Sequence, residues 1–129
     1  RYSLDPGHRS ELHTSAPGKA LLACLPEEEC KALVARIRFT RYTKNTITSA
    51  KAYMKELAEV REKGYSIDRG EAYDGVYCVG AAIRDRNGYP VASIWITGPA
   101  QNCPPKDISA VGAKIVAAAQ AVSSRLGFG

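Results

Sequence analysis

Three features of the amino-acid sequence predict an α+β fold. Apolar residues recur at helical spacing in the first half of the chain, the period changes to two near residue 65, and helical spacing returns at the end. Asn87-Gly88 separates two apolar runs in the middle region, which is a strong signal for a β-hairpin. Helices and antiparallel strands in separate runs are typical of α+β proteins, with the helices packed on the sheet.

Local signals predict four helices. Ser15 caps the first helix and Pro17 suits its first turn, while Gly18 lets other groups approach the backbone closely. Three glutamates after Pro26 favour the N-terminal dipole of the second helix, and Gly64 ends the third. The apolar faces are Ala20–Leu25 in the first helix; Cys30, Leu33, Val34 and Ile37 in the second; Ala50, Tyr53, Leu57 and Val60 in the third, about Ser49–Lys63; and Ile108, Val111, Ile115, Ala118 and Val122 in the last, which Pro104-Pro105 opens.

The strands are predicted at Tyr65–Arg69, Val76–Arg84 and Tyr89–Gly98. With Asn87 and Gly88 as a two-residue loop, strand alternation places one mixed set of side chains on a single face. These pairs are Cys78 with Thr97, Gly80 with Trp95, and Ala82 with Ser93. The opposite face is a hydrophobic core face formed by Val79, Ala81, Ile83, Ala92, Ile94 and Ile96. The mixed face either lines a ligand cavity or meets solvent.

Length and hydropathy bound the class of protein. A chain of 129 residues fits one domain with room for a core and one cavity. Its apolar runs are shorter than the roughly 20 residues needed to span a bilayer, and the N-terminus has no signal-peptide core. We therefore expect a soluble, cytoplasmic protein without membrane contacts.

Charge and cysteine content argue against two further classes. The net charge of +5 comes from scattered Lys and Arg interleaved with acids, which is typical of a solvated face and not of a nucleic-acid footprint. The cysteines lack a C-x-x-C pair and zinc-type Cys/His spacing, so we expect reduced thiols and neither metal nor cofactor. They are Cys24, Cys30, Cys78 and Cys103.

A series of short motifs runs through most of the chain. They are His13-Thr-Ser-Ala-Pro-Gly-Lys-Ala-Leu-Leu-Ala, Leu25-Pro-Glu-Glu-Glu, Tyr42-Thr-Lys-Asn-Thr-Ile-Thr, Val60-Arg-Glu-Lys-Gly-Tyr-Ser-Ile-Asp, Gly75-Val-Tyr-Cys and Thr97-Gly-Pro. In this order, from about His13 to Gly127, they resemble the effector-binding domain of IclR-type transcriptional regulators. No single motif is specific, and the ordered set carries the resemblance.

The resemblance implies a GAF-like domain that senses a small-molecule effector. In that family an N-terminal winged helix-turn-helix binds operator DNA, and homodimers or homotetramers are usual. Residues 1–129 contain no such DNA-binding part, and the opening helix and first strands of the sensing domain would precede Arg1. We therefore expect an effector-binding domain trimmed at its N-terminus, with an unpaired sheet edge.

The resemblance also implies a ligand site between the turn His13–Ala20 and the hairpin Val76–Pro99, where the family commonly holds small organic acids. The N-terminus of a helix binds a carboxylate without a cationic side chain. Pro17 lacks an N–H, so the backbone N–H groups of Gly18 and Lys19 are the expected donors. Trp95 stands where family members often carry serine, so its indole shrinks the cavity or stacks on a flat ligand. The ligand residues carried over are Ala16, Pro17, Gly18, Asp68, Cys78, Trp95 and Thr97.

Several of these residues also have structural interpretations. Asp68 suits the cap of the following turn, and His13 suits a structural hydrogen bond. Lys19 is expected on the helix surface, and Glu71 is interpreted as a surface or structural carboxylate outside the site. Tyr42 and Tyr53 are interpreted as packing residues.

Two other functions compete with ligand sensing. A thiol enzyme would use Cys78 as its nucleophile, but a reactive thiol needs a base or a positive environment, and only His8 and His13 are offered. A pure dimerisation module would have its pocket filled by Trp95.

Overall fold

The computed structural model describes residues 9–99 and 105–129, which form an α+β fold of helices packed on an antiparallel sheet. Three residues named in the predictions above lie outside these ranges: His8, Cys103 and Pro104. No helix in the described ranges is long and apolar enough to cross a membrane. The elements are α1 (Ala16–Cys24), α2 (Glu27–Ala35), α3 (Ala50–Lys63), β1 (Ser66–Arg69), β2 (Val76–Arg84), β3 (Pro90–Pro99) and α4 (Pro105–Arg125).

The predicted cap at Ser15 and the predicted stop at Gly64 are confirmed, whereas α2 ends at Ala35, so Ile37 lies outside the helix whose apolar face was predicted to include it. The Ser15 hydroxyl accepts the N–H of Gly18 at 3.1 Å, and the Ser49 hydroxyl accepts the N–H of Ala52 at the same distance. Gly64 ends α3 in the left-handed conformation, at φ 86°, where a side chain would be strained. These caps fix where α1 and α3 begin and where α3 turns toward β1.

The sheet has the strand order β1-β2-β3 with antiparallel pairing throughout. The predicted pairs of β2 and β3 are confirmed, but the predicted loop is wrong. The N–H of Asp85 donates to the carbonyl of Tyr89 at 2.9 Å, so the loop has a third residue, Arg86. An extra residue in β3, Val91, lies between the pairs Ile83–Ala92 and Arg84–Pro90 and restores the register.

Helices cover both faces of the sheet. On one side α1 packs between the sheet and α3, and on the other α4 packs against β2. The first core cluster contains Leu22, Ala23, Cys30, Val34, Tyr53, Leu57 and Val60. The second contains Val79, Ala81, Ile83, Ile115 and Ala119. The face predicted as core therefore lies under α4, and the mixed face lies under α1.

The buried face of α4 differs from the prediction in its last two turns. Ala118 and Val122 are exposed, whereas Ala119 and Ser123 are buried. The predicted positions follow a strict seven-residue repeat, but a straight α-helix drifts by roughly 20° per heptad relative to that repeat. Over the two heptads from Ile108 to Val122 the drift reaches about 40°, nearly half the angle between successive residues, and it favours burial of the positions one residue later.

Other predicted core residues are exposed for reasons of position. Ala50 is the first residue of α3 and faces solvent, and Leu33 of α2 is 37% exposed. Ile96 is 47% exposed and Ala92 is also exposed. Both lie on β3, the edge strand, which α4 covers less than it covers β2.

Candidate functional site

A cavity of about 250 Å³ lies at the N-terminal end of α1, against the mixed face of the sheet. Five of the seven predicted ligand residues line it: Ala16, Pro17, Asp68, Cys78 and Trp95. The remaining lining residues come from segments without regular structure, apart from the cap of α1: Arg9, Ser10, Glu11, Thr14, Ser15, Tyr42, Ala72 and Tyr73.

The position of α1 leaves this space open. A side chain at Gly80 would meet Ala16 at 3.3 Å, so the first turn of α1 rests directly on β2 at that glycine. The hydroxyl of Ser66 donates to the carbonyl of Ala16 at 2.6 Å and fixes the contact from β1. The next row of the sheet, Asp68–Cys78–Thr97, lies beyond this contact, and its first two residues form the cavity wall.

Gly18 and Thr97 are not part of the lining. A Cβ at Gly18 would come within 2.8 Å of the carbonyl oxygen of Leu12, so this glycine serves a close approach inside the protein. Thr97 is exposed, and its hydroxyl lies 3.3 Å from the sulfur of Cys78. Thr97 therefore reaches the cavity through Cys78.

The predicted backbone donors need correction. The N–H of Gly18 donates to the side chain of Ser15, and the N–H of Lys19 donates to the Ser15 carbonyl at 3.1 Å. Both groups are used by the helix cap and by the first helical turn. Within the described ranges no acceptor meets the N–H of Ala16, a residue that is fully buried and lines the cavity. In the first turn of α1, Ala16 is therefore the residue whose N–H the helix cap does not use.

Asp68 is a structural cap and a cavity residue at once. Its Oδ1 accepts the N–H of Glu71 at 2.8 Å, which is the turn contact expected from the sequence. Burial raises the pKa of Asp68 to about 6; the nearby Glu71 carboxylate adds to the increase, while its N–H and the Lys19 ammonium oppose it. Near neutral pH this carboxyl is therefore able to exchange a proton.

Lys19 lies in the protein interior, so the prediction of a surface position is wrong. Its side chain is 0% exposed, and Nζ donates to Glu56 at 2.6 Å, to Glu71 at 2.8 Å and to the carbonyl of Ile67 at 2.9 Å. All three ammonium protons are thus used. Glu71 is 2% exposed, which confirms the structural alternative for that residue, and it also accepts the N–H of Arg69.

The environment of Cys78 is unlike that of a nucleophile. Burial raises the pKa of this thiol to about 11, an increase that Asp68 assists and the Thr97 hydroxyl opposes. His13 is not in the cavity lining: its Nε2 donates to the carbonyl of Thr40 at 2.9 Å, the structural bond expected for it. Among the described residues, no three His, Cys, Asp or Glu side chains are grouped to hold a metal ion.

The loop residues that line the cavity were not among the predicted ligand residues. Tyr42 was interpreted as a packing residue, but it is 48% exposed, and its hydroxyl donates to Glu11 at 3.1 Å across the cavity rim. Loop residues carry no hydrophobic period, so strand and helix patterns do not predict their position. The sequence signal that could have indicated a role for Tyr42 in the cavity is its position as the first residue of the motif Tyr42-Thr-Lys-Asn-Thr-Ile-Thr.

Comparison with known proteins identifies the family. The model of the bacterial transcriptional regulator IclR C-terminal domain matches residues 1–124. The chain is 37% identical over 121 residues to the HTH-type transcriptional repressor AllR of Klebsiella pneumoniae, covering 94% of this chain and 44% of AllR. It is therefore similar to less than half the length of that relative.

Solved structures agree with this assignment. The Agobacterium tumefaciens repressor BlcR superposes with a TM-score of 0.89 and 31% identity, covering 98% of this chain and 52% of BlcR. The Thermotoga maritima IclR structure gives 0.86 and 36% identity, covering 91% of this chain and 47% of its own. The chain belongs to the IclR family of bacterial transcriptional regulators and corresponds to their C-terminal domain.

Proposed function

We propose that this chain is the effector-binding domain of a transcriptional regulator, and that it binds a small organic acid in the cavity beside α1 without transforming it. The observation that carries the proposal is the lining, which combines an unpaired N–H at a helix start with aromatic walls and a buried titratable carboxyl. Residues 1–129 are then one sensing domain of a longer cytoplasmic polypeptide. Operator DNA is contacted by its winged helix-turn-helix, and the regulator acts as a homodimer or homotetramer.

The size and walls of the cavity favour a small ligand with a flat part. About 250 Å³ is slightly below the roughly 300–1,000 Å³ typical of small-molecule pockets. The indole of Trp95 and the ring of Tyr42 both line the space, and aromatic faces stack on planar groups. A one-ring or short-chain acid suits these dimensions.

The polar groups support a carboxylate. The N–H of Ala16 lies at the positive end of α1, where anions are stabilised, and Arg9 adds a cation at the rim. Asp68 disfavours an anion when it is ionised, but in its protonated form it is a hydrogen-bond donor. We therefore expect binding of a carboxylate to be accompanied by proton uptake at Asp68.

The alternatives have less support. A thiol enzyme requires a thiolate at Cys78, and burial disfavours that ion. A pure dimerisation module requires Trp95 to fill the pocket, yet Trp95 is 40% exposed and the cavity remains beside it.

A binding screen tests the proposal. Thermal shift with aliphatic, hydroxy and aromatic monocarboxylic acids selects ligands, and calorimetry then measures Kd. We expect Trp95→Ala to weaken binding about tenfold or more, as for an aromatic anchor. Val91→Ala is the matched control, because Val91 is an exposed residue of the same strand outside the cavity.

Two further readouts decide the outcome. Mass spectrometry is expected to recover the acid unchanged after prolonged incubation, whereas turnover would favour the enzyme. If no acid class gives saturable binding, or if Trp95→Ala binds as tightly as the Val91→Ala control, the cavity is not the effector site.

A further inference from the structure

A second cavity, of about 270 Å³, lies where β1 stops and the edge of β2 continues alone. Its walls come from α1, α3 and α4, and from Phe128 beyond α4. It shares no lining residue with the first cavity: α1 contributes Ala16 and Pro17 to the first but Ala20 and Cys24 to the second. The two spaces are therefore separate, at opposite ends of one helix.

The exposed edge of β2 leaves the N–H and the carbonyl of one residue, Ala82, without a partner on β1. The pairing of β1 with β2 ends at Ser66–Gly80, and the Gly80 carbonyl accepts from the Ser66 hydroxyl on that side. Farther along, the N–H of Arg84 points to the same side and donates to the hydroxyl of Ser123 at 3.0 Å. Because the N–H and carbonyl of successive residues point to alternate sides of a strand, those of Ala82 point there too. No strand formed by residues 9–99 or 105–129 faces them, and Ala82 lines the cavity.

Two arginines line the same space without an acidic partner. Arg61 of α3 donates to the carbonyl of Ala23 at 3.5 Å and lies beside the thiol of Cys30, and the guanidinium of Arg84 lies 5.2 Å from the centre of the Phe128 ring. Within the described part of the chain, no carboxylate lies within 4 Å of the guanidinium of Arg61 or of Arg84. Arg69, by contrast, is paired with Glu56. No acidic side chain of the described residues lines this cavity, whereas Asp68 and Glu11 line the first.

From these observations we propose that the second cavity is a separate binding site for an oxyanion, a carboxylate or a phosphate. Guanidinium groups bind such oxygens in a bidentate way, and the free N–H of Ala82 supplies a further donor on the wall between them. Gln120 adds an uncharged amide at the rim. This site is independent of the first cavity, because different residues form it.

Titration with two probes tests the site. Succinate and inorganic phosphate are added in turn to the 129-residue chain, with sodium chloride at matched ionic strength as the reference. We expect saturable shifts of the backbone amide signals of Ala82 and Gln120 in two-dimensional NMR. A response to one probe alone assigns the site to that oxyanion class.

Arginine variants show whether the binding is local. Arg61→Gln and Arg84→Gln are each expected to weaken binding about tenfold, the usual worth of a charge-assisted hydrogen bond. Arg38→Gln is the control, because Arg38 is exposed and lines neither cavity. Arg61 is itself exposed, so its variant keeps the test valid if Arg84→Gln misfolds.

The proposal is overturned by any of three results. Neither probe shifts Ala82 beyond the sodium chloride reference, the shifts are confined to residues of the first cavity, or the arginine variants bind as tightly as Arg38→Gln.

Discussion

Lys19 shows how the surroundings of one residue override its type. Its position was readable from helical spacing, because Ala16, Lys19, Ala20 and Ala23 follow the i, i+3, i+4, i+7 rule and all are buried. The residue type favoured an exposed position, because lysine is almost never fully buried unless it is paired. The pairing with Glu56 and Glu71 comes from distant parts of the chain, so no local pattern predicts it.

Replacing this lysine is expected to be costly. Lys19→Met leaves the buried Glu71 without a cation and Glu56 with Arg69 alone, and breaking a buried pair in this way destabilises proteins by about 3–5 kcal/mol. Urea unfolding measures the change. Lys31→Met is the control, because Lys31 forms exposed ion pairs on α2 and little change is expected there. A similar small change at Lys19 would contradict a structural role for its charge.

Asp68 is expected to make stability depend on pH. Its pKa rises from 3.8 in the unfolded chain to about 6 in the fold, so between these values the folded state binds more protons than the unfolded state. The free energy of unfolding contributed by Asp68 is therefore fully present below about pH 4 and is lost as pH rises through about 6. The difference amounts to about 3 kcal/mol.

The measurement compares unfolding of the wild type and Asp68→Asn across that range. Asparagine keeps an oxygen for the N–H of Glu71 but cannot titrate, so the variant should lose less stability on going to neutral pH. Equal pH profiles for the two proteins would show that Asp68 does not titrate in this window.

At the scale of elements, the ends of helices and the faces of strands were predictable, but helix phase and loop length were not. Caps such as Ser15 and Gly64 act within a few residues, so the sequence carries their whole signal. The rotation of α4 accumulates over its length, and a seven-residue pattern hides it. The hairpin loop differs by one residue because Gly88, at φ 78°, suits a three-residue loop as well as a two-residue one.

The close contact at the start of α1 leads to a prediction for that element. Gly18→Ala places a methyl group within 2.8 Å of the Leu12 backbone, so the first turn must shift, and overpacking of this kind costs about 1–3 kcal/mol. Gly98→Ala on β3 is the matched control, since no atom of the described residues outside its chain neighbours lies within 4 Å of a Cβ there. Thermal unfolding of the two variants provides the comparison. Equal melting temperatures would mean that the contact yields without strain.

For the whole molecule, the position of the cavity beside α1 was more predictable from the sequence than the full set of residues that line it. Strand alternation and motif order together placed Asp68, Cys78 and Trp95 around one space, because both signals concern regular elements. Arg9 and Tyr42 join them only when segments far apart in sequence meet. The second cavity was not predicted, because it depends on the pairing of β1 with β2 stopping at Ser66–Gly80 while β2 continues to Arg84.

The extra residue in β3 is expected to be removable without moving the rest of the strand. Deleting Val91 alone, with the loop unchanged, would make Pro90 and Ala92 consecutive, opposite Arg84 and Ile83, which are already consecutive in β2. Every pair beyond this point would be kept, so Trp95 would stay on the cavity side opposite Gly80. A deletion farther along β3 has no bulge to absorb it and would turn every later side chain to the other face of the sheet.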